Sequence, residues 1–473
     1  MIVRRSTSFG IVAALLIGIA ILAQTTASAQ APATAAPDFP ASWDSFTDQL
    51  HQLGSEILAK LPERLRNNPQ VQEEAGRLLL EAVAAHAIEA ISADGDHPVF
   101  LPASNITLNV GQPNADTTYR RTPITPGGIY RLRGEIGSLR IFNVAESIPV
   151  ASSGAPIAKP IFHDFKALRV DGAGHFDVIL GPERPHGYRG DWWQLSPATT
   201  SLLIRQVAFD WATERDPRIS IERVDKPVER PRPDAADLDH RLRALANSIS
   251  STALRWVDHV EGLRRQGYLN RLHEFDLSHL GAIPTQFYYE GAYEIQPDEA
   301  LIVEAKVPSG CSYWSIILTN DIFETTDWYN NQSSLNGSQA RVDKDGVVRY
   351  VVSNKDPGVP NWLDTAGYLS GVIEGRWNEC SDNPIPTVRK VFLSDVRNYL
   401  PADTPAVSPA QREQAIRDRR AEVQQRPLWM IRRDLISSKL TRERLEIDPM
   451  TSTSVPGSRR GMNTPVLRPR RPS

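Results

Sequence analysis

Two stretches of the chain consist of short runs in which apolar and polar residues alternate, with one long amphipathic stretch between them. Alternation with a period of two places successive side chains on opposite faces of a strand, and Gly, Pro, Asn and Asp turns separate the runs. The clearest runs occupy residues 129–134, 138–144, 175–180, 202–209 and 218–224, then 300–308, 312–319, 347–353, 368–375 and 387–393. This pattern predicts two β-rich domains of the sandwich or jelly-roll type.

The stretch between them, residues 234–267, predicts a single long amphipathic helix. Asp234 is placed to cap its start and Gly267 to end it. Its apolar face consists of Leu238, Leu242, Leu245, Ile249, Trp256, Val260 and Leu263. We expect this face to pack either against the second β domain or against a second copy of the chain.

Helical spacing of apolar residues also marks the region before the first β domain, and a charged helix is predicted after the second β domain. The predicted fold class is therefore mainly β with α: two β-sandwich or jelly-roll-like domains, an N-terminal helical segment and a long linking helix. The predicted divisions are a helical segment at 43–95, a first β-rich domain at 96–226, the linking helix at 234–267, a second β-sandwich at 281–401 and C-terminal helices at 408–440.

The N-terminal 29 residues have the features of a secretory signal peptide. Arg4 and Arg5 precede a short apolar run, and Ala27 and Ala29 fit the small-residue cleavage rule. The apolar run is shorter than the roughly 20 residues that span a bilayer. We expect an exported protein, periplasmic or secreted, with no membrane span after cleavage, followed by an Ala/Pro-rich linker at 30–42.

The formal net charge of −3 conceals an uneven distribution of charge. Seven of the 53 basic residues lie in the signal peptide or in the last 25 residues, so the body between residues 30 and 448 carries about −10. An acidic body argues against nucleic acid as a partner. The basic tail at 449–473 is poor in apolar residues, and we expect it to be disordered, either simply solvated or in contact with an anionic envelope surface.

The common catalytic and cofactor motifs are missing. The sequence contains no G-x-S-x-G, no H-E-x-x-H, no phosphate-binding P-loop and no G-x-G-x-x-G after a predicted strand. The ten histidines are scattered, and His273 and His279 are six residues apart in a predicted loop. We therefore expect no metal and no cofactor.

Aromatic, acidic and arginine residues are concentrated in four loops, and these supply the candidate binding residues. Structural roles are the alternative to binding. Asn114 and Asp116 can cap turns next to Tyr119 and Arg120, and Asp364 can pair with Arg376 or Arg341. The candidates are Tyr119, Arg120, Trp193, Asp327, Trp328, Tyr329, Arg341, Trp362, Asp364 and Arg376.

The chain has two cysteines, Cys311 and Cys380, both in strand-rich sequence. Export would permit a disulfide between them, and two buried thiols are the alternative. Two cysteines alone cannot form a structural zinc site.

Two segments in the C-terminal half, ALIVEAKVPSGCSYWSIILTND and DPGVPNWLDTAGYLSGVIEGRW, resemble the bacterial family called domain of unknown function 1214. The resemblance extends over about residues 286–401. The upstream segments DGDHPVFLP, PNADTTYRRTPITPGGIYRLRG and RQVAFDWATE also fit this group, in which the related domain of unknown function 1254 often comes first. The resemblance implies β-sandwich domains in an exported or uncharacterised bacterial protein, and it brings no activity and no catalytic residues.

Three functions are compatible with these features. The first is an envelope protein that binds a small molecule or glycan in an aromatic-lined cleft. The second is a hydrolase or lyase in which Asp327, Asp364 or Glu374 acts as acid or base. The third is a structural or assembly protein that forms a homodimer through the long helix.

Overall fold

The computed structural model of the protein describes residues 42–147, 161–232, 234–277 and 282–427. The expected signal peptide, nearly all of the linker, the helix near residues 429–440 and the basic tail lie outside the described residues. No helix within the described ranges is long and apolar enough to cross a bilayer.

The chain begins with three helices that precede the first β domain: α1 (Ser42–Lys60), α2 (Glu63–Arg66) and α3 (Pro69–Ser92). Asn68 caps α3, since its side-chain oxygen accepts a 3.0 Å hydrogen bond from the backbone of Gln70, and proline occupies the first helical position. A proline there costs nothing, because its missing N–H would have no partner inside the helix.

The first β domain is a sandwich of two antiparallel-rich sheets, ordered β1-β2-β8-β4-β5 and β7-β6-β3-β9. Its strands are β1 (Leu101–Ser104), β2 (Thr117–Pro123), β3 (Tyr130–Glu135), β4 (Ile141–Ser147), β5 (Phe162–Asp164), β6 (His175–Gly181), β7 (Asp191–Gln194), β8 (Ser201–Val207) and β9 (Arg218–Arg223). The inward side chains of both sheets form one apolar core, which includes Tyr130, Leu132, Val144, Val178 and Ile204. The alternation in the sequence corresponds to this one-sided burial.

The long helix α4 (Ala235–Arg265) connects the two β domains in sequence and packs on α1 and α3 in space. Asp234 caps it through the backbone N–H of Ala236 at 3.1 Å, and Gly267 follows it with a φ of +84°. The middle of its apolar face, including Ile249, is buried against the N-terminal helices. Its last turns pack on the second β domain through Val260 and Leu263. Apart from Leu238, which is 48% exposed, the apolar face is covered within the chain, and it does not offer the surface that a helix-mediated dimer requires.

The second β domain is also a sandwich, with sheets ordered β10-β11-β17-β13-β14 and β16-β15-β12-β18. Its strands are β10 (His273–Glu274), β11 (Gln286–Glu294), β12 (Glu299–Lys306), β13 (Tyr313–Thr319), β14 (Ser334–Asn336), β15 (Val347–Ser353), β16 (Trp362–Asp364), β17 (Ser370–Asn378) and β18 (Thr387–Phe392). Cys311 and Cys380 are joined by a disulfide at one end of this domain. The mainly β fold with two sandwiches, predicted from the sequence, is confirmed.

A final helix, α5 (Pro409–Gln425), lies across both β domains. Ser408 and Gln411 form a capping box at its start. Three arginines, one every seven residues, attach it: Arg412 contacts Asp356 and Gln332, Arg419 contacts the backbone of the Trp328 loop, and Arg426 pairs with Asp216 of the first β domain. A seven-residue spacing returns to the same helix face after two turns, so Arg412 and Arg419 extend from one side of α5, and Arg426 follows directly after the end of the helix.

Candidate functional site

The two β domains meet at a buried polar contact centred on Asp116, which precedes β2. The carboxylate of Asp116 accepts hydrogen bonds from the Tyr313 hydroxyl at 2.6 Å, from Nδ2 of Asn336 at 2.7 Å and from the Trp211 indole at 2.8 Å. Asp116 is 2% exposed, and burial raises its pKa even though all three hydrogen bonds act to lower it. Since two of these donors, Tyr313 and Asn336, belong to the second β domain, this contact joins the two β domains.

Tyr119 and Arg120, two of the predicted binding residues, lie beside this contact. The Tyr119 hydroxyl accepts a 3.2 Å hydrogen bond from the backbone of Asn114, whose side chain donates to the Tyr313 hydroxyl at 2.9 Å. The Arg120 side chain is buried, and desolvation lowers the pKa of its guanidinium. Both residues therefore lie in the domain contact, whereas the sequence suggested a polar rim around a ligand.

A closed cavity at this contact brings together three predicted residues, Tyr119, Trp328 and Tyr329. Its volume is about 10 Å³, which is close to the space that one water molecule needs. Burial raises the pKa of Tyr329 to about 12, so its hydroxyl stays protonated at neutral pH. The cavity in this conformation is too small for an organic ligand.

The loop at residues 356–368 is fixed by contacts to α5 and to its own sandwich. Trp362 is 8% exposed, donates a 3.0 Å hydrogen bond to the Ser353 carbonyl, and lies under the guanidinium of Arg412, whose central carbon is 5.1 Å from the ring centroid. The side chain of Asp364 accepts the backbone N–H of Ala366 at 2.8 Å. The structural alternative for Asp364 was a pairing with Arg376 or Arg341; the carboxylate instead caps its own turn, and Arg376 and Arg341 pair with Glu374 and Asp343.

The remaining predicted residues of the second domain also have defined partners within the protein. Asp327 accepts the backbone N–H of Tyr329 at 3.0 Å, and Arg341 pairs with Asp343. Arg376 pairs with Glu374 on the same strand, two residues away and on the same buried face of the sheet. The three acids considered for acid–base chemistry, Asp327, Asp364 and Glu374, are thus engaged in turns or in a buried ion pair.

Trp193 on β7 belongs partly to the core of the first β domain. Its ring stacks on His163, with centroids 5.0 Å apart and planes 16° apart, and meets Phe165 edge to face at the same distance. The adjacent Trp192 points to the opposite face of the strand, as alternation requires.

Within the described residues, the outer face of the β7-β6-β3-β9 sheet carries a groove, which we name the β3–β6 groove. Its volume is about 820 Å³, and it is open to solvent. Strand β3 contributes Arg131 and Arg133, β6 contributes His175 and Asp177, and a loop contributes Tyr188. The other lining residues are Gly134, Arg169, Val170, Asp171, Phe176, Gly190, Asp191 and Ser220.

Each arginine of the groove has a carboxylate partner. Arg131 faces Asp177 with its Nε 2.9 and 3.1 Å from the two carboxylate oxygens. Nε of Arg169 donates to Asp191 at 2.7 Å, and Arg133 lies 3.4 Å from Glu222. The groove therefore presents alternating donors and acceptors with little net charge.

The groove was not predicted from the sequence, although one signal was present. In the run from residue 130 to 135 the arginines occupy alternate positions opposite the buried Tyr130 and Leu132, and Asp177 does the same on β6. Two neighbouring strands with charged outward faces indicate a polar sheet surface. That the surface is concave depends on the loops around Val170 and Tyr188, which the alternation does not reveal.

Comparison with other proteins gives a family but no activity. The family described as "Protein of unknown function (DUF1214)" matches residues 296–370. The crystal structure of an uncharacterized protein from Burkholderia cenocepacia is similar, with a TM-score of 0.68 and 27% identity over 75% of this chain and 97% of that one. The crystal structure of the VPA0106 protein from Vibrio parahaemolyticus has a TM-score of 0.37 and 12% identity over 67% of this chain and 98% of its own.

None of the curated proteins compared with the chain matches it. The resemblance of the N-terminal half to domain of unknown function 1254 stays an expectation. The matched residues contain β12 to β16 and the whole loop at 356–368, and they include the first segment that carried the resemblance and most of the second. Residues 296–370 of the chain therefore match the DUF1214 family, whose members have no known function.

Proposed function

We propose that the protein binds a neutral, polyhydroxylated ligand, such as a glycan, in the β3–β6 groove. The observation that carries the proposal is a groove of about 820 Å³ in which every arginine already has a carboxylate partner. Binding clefts for small ligands span roughly 300–1,000 Å³, so the groove is large enough.

The balance of charge favours a neutral ligand over an ion. A phosphate or carboxylate ligand would have to compete with Asp177 and Asp191 for the guanidinium groups. A sugar offers neighbouring hydroxyls that both donate and accept hydrogen bonds. An arginine beside an aspartate supplies several donors and an acceptor side by side, which two neighbouring hydroxyls can use together.

Tyr188 supplies the aromatic element of the groove. Its side chain is half-buried. Partial burial, and to a smaller extent the charge of Asp177, raises the pKa of its hydroxyl. The hydroxyl therefore remains a neutral donor and acceptor at physiological pH. Such a ring can cover the apolar face of a sugar while its hydroxyl bonds a neighbouring group.

The location of the groove is also favourable. The domain contact uses Asp116, Val207 and Ile141, which belong to or adjoin the other sheet of the first sandwich. The outer face of the β7-β6-β3-β9 sheet is therefore not occupied by the second β domain. Export to the periplasm or the exterior remains part of this proposal, because envelope glycans are found there.

The test is calorimetric titration of a panel of soluble oligosaccharides into the purified protein. We expect at least one to bind, and we expect Asp177→Asn and Tyr188→Ala each to weaken binding by tenfold or more. The control is Asp345→Asn, which alters an exposed Arg–Asp pair with Arg349 in the second β domain. Absence of binding by the unaltered protein, or equal affinity in the groove variants, would reject the proposal.

A further inference from the structure

Two buried glutamates lie where the helical layer, defined as α1, α3 and α4, rests on the second β domain. Glu290 on β11 is fully buried, and its Oε2 lies 2.9 Å from Nε2 of His259 on α4. Its other oxygen has no hydrogen-bond partner among the described residues and faces Nε2 of His273 at 3.8 Å, a nitrogen that also lacks one. One carboxylate thus lies between an imidazole of the helix and an imidazole of β10.

Glu324, in the loop after β13, has a similar environment on the other side of the layer. It is 5% exposed, and its Oε2 accepts a 2.7 Å hydrogen bond from Asn320. Its Oε1 has no hydrogen-bond partner within the described part of the chain. The charged groups that act on it across the junction are Glu74, Arg77 and Glu81, all on α3.

A buried carboxylate oxygen without a donor favours the protonated form, because desolvation penalises the charge. Burial raises the pKa of Glu324 to about 8 and that of Glu290 to about 7, against hydrogen bonds from Asn320 and His259 that act to lower them. Because Glu290 is hydrogen-bonded to His259 of α4, the loss of its proton changes a contact between β11 and the helical layer.

The other charges around the junction are already compensated. Glu374, which lies opposite Glu290 on β17, pairs with Arg376. Asp321, next to Glu324 in the loop, is in contact with Arg64 and Arg264. The carboxyl groups that lose a proton near neutral pH are therefore Glu324, Glu290 and, on α3, Glu74.

From this geometry we propose that protons on Glu324 and on Glu290 hold the helical layer on the second β domain. When these protons leave, two bare carboxylates remain in a closed interface, one beside the acidic residues of α3 and one beneath α4. The layer then opens to hydrate them. The junction thus acts as a latch that is closed in mildly acidic solution and loosens above neutrality.

Native-state hydrogen exchange followed by mass spectrometry tests the latch on the intact protein. After correction for intrinsic rates, we expect amides of α4 to exchange roughly tenfold faster at pH 8.5 than at pH 6.0, because of the loss of the Glu290 proton alone. Amides of β3 and β6, in the first β domain, serve as the internal reference and should change little.

The matched variant is the double substitution Glu290→Gln and Glu324→Gln, which keeps the shape and removes the titration. We expect most of the pH dependence of its α4 protection to be lost, with Glu74 accounting for what remains, while Glu413→Gln on the exposed side of α5 behaves as the unaltered protein does. Each single variant supplies the same comparison if the double variant folds poorly. Equal α4 protection at both pH values in the unaltered protein, an undiminished pH effect in the glutamine variants, or the same change in β3 and β6 would overturn the proposal.

Discussion

The hydroxyl of Tyr313 in the second β domain donates a 2.6 Å hydrogen bond to the carboxylate of Asp116 in the first, and both side chains are buried. The two residues are 197 positions apart, so only the tertiary structure brings them together. Asn336 and Trp211 complete the set of donors on the same carboxylate. This contact fixes the orientation of the two sandwiches.

Removing the carboxylate should destabilise the protein strongly. We expect Asp116→Ala to lower the free energy of unfolding by about 3 kcal/mol or more, because it leaves buried donors without an acceptor. Tyr313→Phe, which removes one donor, should cost roughly 1–2 kcal/mol. Urea denaturation measures both, with Glu413→Gln as the surface control. A midpoint for Asp116→Ala equal to that of the control would show that the contact is dispensable.

The attachment of α5 should depend on Arg412. This guanidinium bonds Asp356 at 2.9 Å and Gln332 at 2.8 Å and covers the Trp362 ring. We expect Arg412→Ala to cost about 2–4 kcal/mol, since it leaves Asp356 and Gln332 without their partner. Limited proteolysis should then cut within residues 409–425. The matched control is Arg417→Ala on the exposed face of the same helix, and equal protection of the two variants would contradict the prediction.

The disulfide between Cys311 and Cys380 should contribute substantially to stability, because it closes a long loop. The cysteines are 69 positions apart, and chain-entropy arguments give about 4 kcal/mol for a loop of this size. We expect the double variant Cys311→Ser and Cys380→Ser to unfold at lower urea concentration than the oxidised protein. Adding a reductant should shift the unaltered protein towards the variant, and no shift after verified reduction would argue against the prediction.

The overall stability should fall as the pH rises through neutrality. Burial raises the pKa of Glu74 and Glu290 to about 7 and that of Glu324 to about 8, whereas a solvated glutamate titrates near 4.5. A group whose pKa is higher in the folded state stabilises the fold below the unfolded pKa and loses that contribution as the pH passes the folded pKa. The melting temperature should therefore decrease from pH 6 to pH 9, and Glu324→Gln should flatten the curve. A melting temperature that rises over this interval would refute the assignment.

The helices and strands could be predicted from the sequence, but only some of the contacts between them could. The cap at Asp234, the stop at Gly267 and the alternating strands follow from neighbours a few residues away, so they were predictable. The disulfide was left open beside two buried thiols, because spacing alone does not place Cys311 next to Cys380. Helix α4 was predicted correctly as a helix, but its partners are α1 and α3, which lie more than 140 positions earlier.

The loop at 356–368 combines features that its own sequence predicts with a contact that depends on a distant part of the chain. Its turn-forming residues and its resemblance to DUF1214 can be recognised from the sequence. The positive φ angles at Gly358 and Gly367 agree with the predicted turns. From the sequence, Trp362 is a candidate binding residue. The structure places the ring beneath Arg412, because α5 returns across the loop.

By itself, the sequence determined the mainly β class, the positions of most strands and helices, and the DUF1214 resemblance, since these depend on periodicity and on local order in the chain. The tertiary structure alone decided which charged and aromatic side chains are buried between domains and which are left to line a groove. Asp116 became a buried acceptor, whereas Asp177 became part of an open surface. The alternation around Asp177 indicates an outward-facing side chain, but neither the concave shape of that surface nor the burial of Asp116 can be read from neighbouring residues, because both depend on elements that pack from distant parts of the chain.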